Sequence, residues 1–322
     1  MANPLLKINN LKTYFHTYNG VVKAVDGVNF ELNKGQTLGI VGESGCGKSV
    51  TSRSILRLIE SPGKIEDGSI HYKDSNLLTL SESEMNAIRG KEISIIFQDP
   101  LTSLNPVMKV GDQISEAIGI HFDISKQETQ EKARKMLDLV GIPSSEERYN
   151  DYPFTFSGGM RQRLVIASAL SCDPSILIAD EPTTNLDVTT QAQILDLLNE
   201  LKSRLGMSII LITHNLGVVS WLCESVAVMY AGRIVEYGPV KEIFKNPQHP
   251  YTSALMDCLI TSDTTSQVDS IPGMIPDLIN PPSGCRFHPR CSHAFDRCLS
   301  DDPQLFSYDK KKDYACWLKE EN

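Results

Sequence analysis

Four short, mostly apolar runs punctuate the chain, at residues 37–41, 92–97, 175–179 and 207–213. Each is too brief for a helix, and they give way in turn to Gly42, Gln98, Asp180 and His214. Such runs predict strands buried on both faces, as in a parallel sheet. Helical periodicity separates them. It covers residues 49–58 and 189–205, the second closed by Gly206. Ser157 stands as an N-cap before an apolar face of Leu164, Ala167 and Leu170. Ser81 with Glu84, and Ser125 with Glu128, form capping boxes that open two more helices; the second reaches Val140, with Gly141 beyond it. Residues 5–15, 21–32 and 68–72 read as strands, and 226–230 with 233–237 as a hairpin around Ala231 and Gly232. Strand then helix in alternation predicts an α/β fold. The block at about 101–165 is helical throughout and reads as an inserted subdomain.

Length and composition set bounds. A chain of 322 residues holds one large domain and a smaller one. The net charge of -9 gives no global reason to bind nucleic acid. No run approaches the ~18 apolar residues of a membrane span, and the start of the chain carries no signal-peptide pattern. A membrane role therefore requires a partner. After Phe244 the composition shifts: eight of the seventeen prolines fall there. This places a domain boundary near residue 246.

The turn after the 37–41 run fits G-x-x-x-x-G-K-[ST] at Gly42, Gly47, Lys48 and Ser49, with Gly45 and Cys46 inside it and Val50 next. Glycines let successive N–H groups face a phosphate, and the helix behind adds free N–H groups and its positive end. In this motif the lysine reaches the β- and γ-phosphates and the serine hydroxyl ligates Mg²⁺. Nucleoside triphosphate binding is the expectation. Asp180 ends a buried strand, the position from which a carboxylate supports Mg²⁺, and Glu181 beside it can polarise a water for in-line attack. Tyr14, Phe15 and Tyr18 lie upstream, where one aromatic can stack on an adenine.

Gln98 at a strand end, Ser157-Gly158-Gly159 at a helix start, Asp180-Glu181, Leu186-Asp187 and His214 follow one another in the order of an ATP-binding-cassette (ABC) ATPase. The resemblance covers residues 5–245. It implies a P-loop cassette over residues 1–246, with an antiparallel β subdomain and the inserted helical subdomain. It further implies that two cassettes pack head to tail, each ATP lying between one P-loop and the other's Ser157-Gly158-Gly159 helix. By position, Glu181 resembles the catalytic base, and Gln98 the glutamine that senses Mg²⁺ and contacts a membrane partner. Asp187 resembles the acid that crosses the dimer, His214 the switch histidine on the γ-phosphate, and Phe15 the adenine-stacking aromatic, with Tyr14 second. The sequence departs from relatives at Met160, at Phe154-Thr155 and at Asn185, where glutamine, His-Gln and alanine are usual.

Residues 247–322 narrow the resemblance. Asn246 to Leu255, Ile271-Pro272-Gly273 and Gly284 to Cys291 resemble the extension of ATP-binding subunits from oligopeptide and dipeptide importers, as does the stretch Phe97 to Pro106. That implies a peripheral subunit on the cytoplasmic membrane face, paired with a paralogue and two membrane-spanning subunits fed by a substrate-binding protein. A nickel or other small-solute importer, a soluble ABC ATPase acting on nucleic acid, and a redox-sensing regulator stand as alternatives. Cys285, Cys291, Cys298 and Cys316 follow C-x5-C-x6-C-x17-C in a stretch poor in core-forming periodicity. Four thiolates suit Zn²⁺ or an iron–sulfur cluster. The x2 spacing of zinc ribbons is missing, which favours a 4Fe–4S cluster, and some peptide-importer subunits carry one. Arg286, Arg290 and Arg297 interleave the thiols and are expected to offset their charge, with His288 and His293 as substitute ligands.

Overall fold

The computed structural model describes residues 3–260, 271–307 and 312–319. The chain divides into two compact units, Met1–Thr79 with Leu211–Asn322, and Leu80–Ile210.

In the first unit, strands Gly20–Leu32, Leu6–Thr17, Gly63–Tyr72 and Ser75–Asn76 form an antiparallel sheet in that order. The third of these is longer than residues 68–72, because the polar stretch before Gly68 also pairs, Ile65 with Thr13 and Gly63 with Phe15. A bulge conceals this in the sequence: Gly68 has φ +104°, and a Cβ there would stand 2.6 Å from the Asn10 carbonyl oxygen. A second sheet carries the strand that leads into the glycine-rich turn. Thr37–Val41, buried at every position, runs parallel to Ser225–Tyr230. That strand forms the expected hairpin with Arg233–Pro239. Each aliphatic side chain buried here contributes about 1.5–3 kcal/mol.

The extension packs within this first unit. Its strand Asp313–Tyr314 pairs with the Arg233–Pro239 strand, and Phe306–Ser307 pairs with it in turn. The Lys23 N–H donates to the Leu278 carbonyl at 3.0 Å. Arg286, its side chain 6% exposed, pairs with Asp26 and donates to the Ala231 carbonyl.

In the second unit, Ile93–Ile96 runs parallel to Ile176–Asp180. Helices Val110–His121, Lys126–Leu139 and Gly158–Leu170 make the inserted helical block. Both expected capping boxes close, Ser81 with Glu84 and Ser125 with Glu128. The helix Val188–Leu205 ends at Gly206 in the left-handed conformation. Among the described residues no helix is long and apolar enough to cross a membrane.

Candidate active site

In the first unit the Thr37–Val41 strand delivers the chain into the glycine-rich turn. Gly42 has φ +152°, and a Cβ on it would stand 2.1 Å from the Met229 carbonyl oxygen. Gly47, φ +108°, caps the helix Lys48–Ile55, and a Cβ on it would meet the Ala24 carbonyl oxygen at 2.2 Å. The loop is thus pressed against two backbone segments where only glycine fits. Lys48 is 6% exposed, and its Nζ donates to the carbonyls of Gly42 at 2.8 Å and Glu43 at 3.0 Å. The loop therefore curls around a buried ammonium, which is the arrangement that attracts phosphate. Cys46 turns inward: it is fully buried, burial pushes its thiol up, and its N–H donates to the Glu43 carbonyl. Ser49 and Val50 follow on the helix, half-buried.

His214 lies in the same unit. Thr213 before it donates its N–H to the Ile40 carbonyl of the nucleotide-loop strand, so the backbone entering His214 is fixed by that strand. His214 is exposed, and Asn215 caps the helix Leu216–Leu222 behind it. The two aromatics upstream differ. The Tyr14 hydroxyl donates to Asp26 at 2.6 Å, whereas the Phe15 ring lies over Gly63.

The second unit carries the other cluster. Asp180 is 2% exposed at the end of its strand. Glu181 follows with φ +48°, a conformation costing a non-glycine residue on the order of 1 kcal/mol. Its Oε2 accepts from Gln98 Nε2 at 3.0 Å and from Thr184 Oγ1 at 2.9 Å. Two donors thus orient one carboxylate beside a buried one. Thr184 was not anticipated; its only signal is a hydroxyl three positions after the acid.

Ser157 caps the helix Gly158–Leu170, its Oγ accepting from the Met160 N–H at 3.4 Å. A Cβ on Gly159 would meet Thr190 Cγ2 at 2.5 Å, so the glycine lets the two helix starts approach. Asp187 caps the Val188–Leu205 helix, accepting from Thr190 N at 2.9 Å and Thr190 Oγ1 at 2.8 Å, and these bonds hold its carboxyl below the usual range. Ser157, Gly158, Gly159, Asn185, Leu186 and Asp187 line one groove of about 290 Å³. Asn185 has φ +67°, a conformation asparagine tolerates better than alanine, which accounts for its presence. Phe154 is 69% exposed and stacks on Tyr152, centroids 5.8 Å apart.

In the extension, Cys285, Cys291, Cys298 and Cys316 line a common small cavity with His288 and His293, and all four are free thiols. Burial first, then the neighbouring thiols, push Cys285 up to about 12 and Cys316 up to about 11. Among the described residues no three His, Cys, Asp or Glu side chains close to the spacing of a single bound ion. The expectation that the interleaved arginines offset thiolate charge is corrected. Arg286 pairs with Asp26, Arg290 with Glu43, and Arg297 stacks over Trp317 at 3.6 Å and faces Asp301. Each guanidinium is thus engaged with a partner outside the thiol set.

This fold has close counterparts. The ATP-binding cassette MJ0796, solved as a dimer in a post-hydrolysis state bound to ADP and Pi, matches with a TM-score of 0.65 at 25% identity, covering 73% of this chain and 98% of that one. The cbiO1 subunit of Clostridium perfringens matches with a TM-score of 0.66 at 26% identity, over 82% and 96%. The ABC transporter family model matches residues 25–184, and the model of the oligopeptide/dipeptide transporter C-terminal region matches 235–298. Fold and motifs together define an ABC-type ATPase.

Relatives specify which kind. The oligopeptide transport ATP-binding protein OppD of Bacillus subtilis is 51% identical over 98% of this chain and 88% of its own length. The dipeptide transport ATP-binding protein DppD of Lactococcus lactis is 51% identical over 98% and 90%, and OppD of Haemophilus influenzae 49% over 99% and 98%. The chain belongs to the family of oligopeptide and dipeptide transport ATP-binding proteins.

Proposed function

We propose that this chain couples ATP hydrolysis to peptide import, working from the cytoplasmic face of the cell membrane with permease subunits and a substrate-binding protein. Its cassette is residues 1–246 and its extension 247–322. The observation that carries the reading is the Gln98–Glu181 hydrogen bond. It ties a residue at the start of the helical block to the acid best placed to polarise water. The loop from Gly42 through Gly45 and Gly47 to Ser49 and Val50 takes the phosphates, with Lys48 as counter-charge. Phe15 receives the adenine, since Tyr14 is engaged with Asp26. Ser49, Gln98 and Asp180 offer hydroxyl, amide and carboxylate oxygens, the hard donors that suit Mg²⁺. Bound Mg²⁺ supplies charge neutralisation on the phosphates. Glu181 accepts the proton of the attacking water, and His214 contacts the γ-phosphate.

The Ser157-Gly158-Gly159 helix start and Asp187 serve a second cassette, and we assign that partner as a paralogous ATP-binding subunit. The extension holds a 4Fe–4S cluster on Cys285, Cys291, Cys298 and Cys316, with Zn²⁺ as the competing occupant. Four free thiols lining one cavity support a thiolate-bound group. Copurification with membrane partners, followed by labelled-peptide uptake in a deletion strain, tests the function. Restored uptake on re-expression is expected; unchanged uptake in the deletion strain would refute a peptide role.

A further inference from the structure

Glu43 is the residue after the first loop glycine, and the extension grips it twice. Arg290 donates to its carboxylate through Nη1 at 2.7 Å and Nη2 at 3.0 Å. The Glu43 N–H donates to the Tyr251 hydroxyl at 2.9 Å. Neither partner is loose. The Arg290 side chain is 4% exposed and also donates to the carbonyls of Pro272 and Ile271. Tyr251 is fully buried, packed against Tyr230 at 4.6 Å and Phe287 at 5.4 Å between ring centroids. Two parallel charge-assisted bonds fix direction as well as distance.

We propose that the extension positions the nucleotide loop, with Arg290 as a positioning residue that holds Glu43 and neutralises its charge beside the phosphate site. This rests on the reading of Gly42 to Ser49 as the phosphate loop. Two effects follow from the geometry. A loop held in its binding conformation before nucleotide arrives pays less ordering cost on binding. A carboxylate beside a polyphosphate repels it unless a cation is paired with it. Arg290 stands immediately before Cys291, so whatever fixes the thiol cavity also fixes the backbone from which Arg290 reaches the loop.

The test is Mg-ADP affinity of the full chain, with thermal melting as a folding check. Arg290→Met leaves the Glu43 charge unpaired and the loop untethered, and is expected to weaken ADP binding about tenfold, the scale of one charge-assisted hydrogen bond. Glu43→Gln removes the repelling charge and is expected to cost less. The double variant therefore binds ADP better than Arg290→Met alone, a rescue that a merely structural arginine would not give. If Arg290→Met does not fold, Arg290→Lys replaces it, with an expected loss of about threefold. Wild-type ADP affinity in a folded Arg290 variant, or a double variant no better than Arg290→Met, overturns the proposal. Lys48→Ala separates the two readings. If it leaves ADP binding intact, the loop assignment fails; if it abolishes binding while Arg290→Met does not weaken it, only the positioning role fails.

Discussion

Gln98 and Glu181, 83 positions apart in the chain, share a hydrogen bond of 3.0 Å from amide to carboxylate. Gln98 follows the Ile93–Ile96 strand and leads into the first helix of the inserted block, Pro100–Ser103. Glu181 follows the Ile176–Asp180 strand, which pairs with the first in parallel. The amide therefore joins the acid to the segment that leads into the helical block. Thr184 holds the same carboxylate oxygen from the other direction along the chain.

Glu181→Gln keeps the shape of this side chain and removes its basicity. ATP binding should persist while hydrolysis at this site falls about 10²–10⁴-fold. Single-turnover hydrolysis in the purified assembly, alongside nucleotide binding, measures both. Near-normal turnover would take Glu181 out of the role of base.

Gln98→Ala removes the link and leaves the loop around Lys48 intact. The expected outcome is ATP turnover that no longer tracks peptide transport, with nucleotide affinity changed little. The ratio of ATP consumed to peptide moved is the readout. A large loss of affinity with that ratio unchanged would count against the assignment.

The groove of Ser157, Gly158, Gly159 and Asp187 is assigned to a second cassette. The isolated chain should then hydrolyse ATP poorly, with specific activity rising with protein concentration or on adding the paralogue. Full activity, independent of concentration, in a monomer would contradict that assignment.

For the thiol cavity, anaerobic purification should yield brown protein with about four iron atoms per chain, both lost in Cys291→Ser. Colourless protein with one equivalent of zinc would remove the cluster and leave a metal staple in its place.

The buried His249 gives a pH dependence. Its Nδ1 accepts the Tyr251 N–H at 3.0 Å, and burial pushes its pKa down to about 3, from an ordinary 6.5. Between those values the unfolded chain binds a proton that the folded chain refuses, so stability falls as pH drops below 6.5. By pH 5 the loss from this group is about 2 kcal/mol. Burial raises the Glu236 carboxyl, which works in the opposite direction, so the comparison is with a variant. Urea midpoints at pH 7 and 5 should fall less in His249→Gln than in the unaltered chain. Equal slopes would remove His249 as the cause.

The sequence made the glycine-rich turn, the Asp180-Glu181 strand end and the Ser157 cap legible because each is local, within a few residues. What it concealed depends on distant partners. Glu43 and Arg290 lie 247 positions apart, and nothing in the spacing of either suggests the pair. The same blindness made Arg286, Arg290 and Arg297 look like counter-charges for the neighbouring thiols, when folding sends the first two to Asp26 and Glu43 and lays the third over Trp317. The strand pairing of residues 63–67 was hidden by polar composition and the bulge at Gly68. Asn185 is explained by its backbone angle, which no spacing reveals, and nothing in the structure explains Phe154-Thr155.

Coupling is measured in vesicles that hold permease subunits, this chain and the proposed paralogous subunit, with ATP consumption and labelled-peptide uptake followed in one sample. Peptide-loaded binding protein should raise both together, and Glu181→Gln in this chain should depress both together. ATP turnover indifferent to peptide, or uptake undiminished in the Glu181→Gln assembly, would contradict the assignment of this chain as the coupling ATPase.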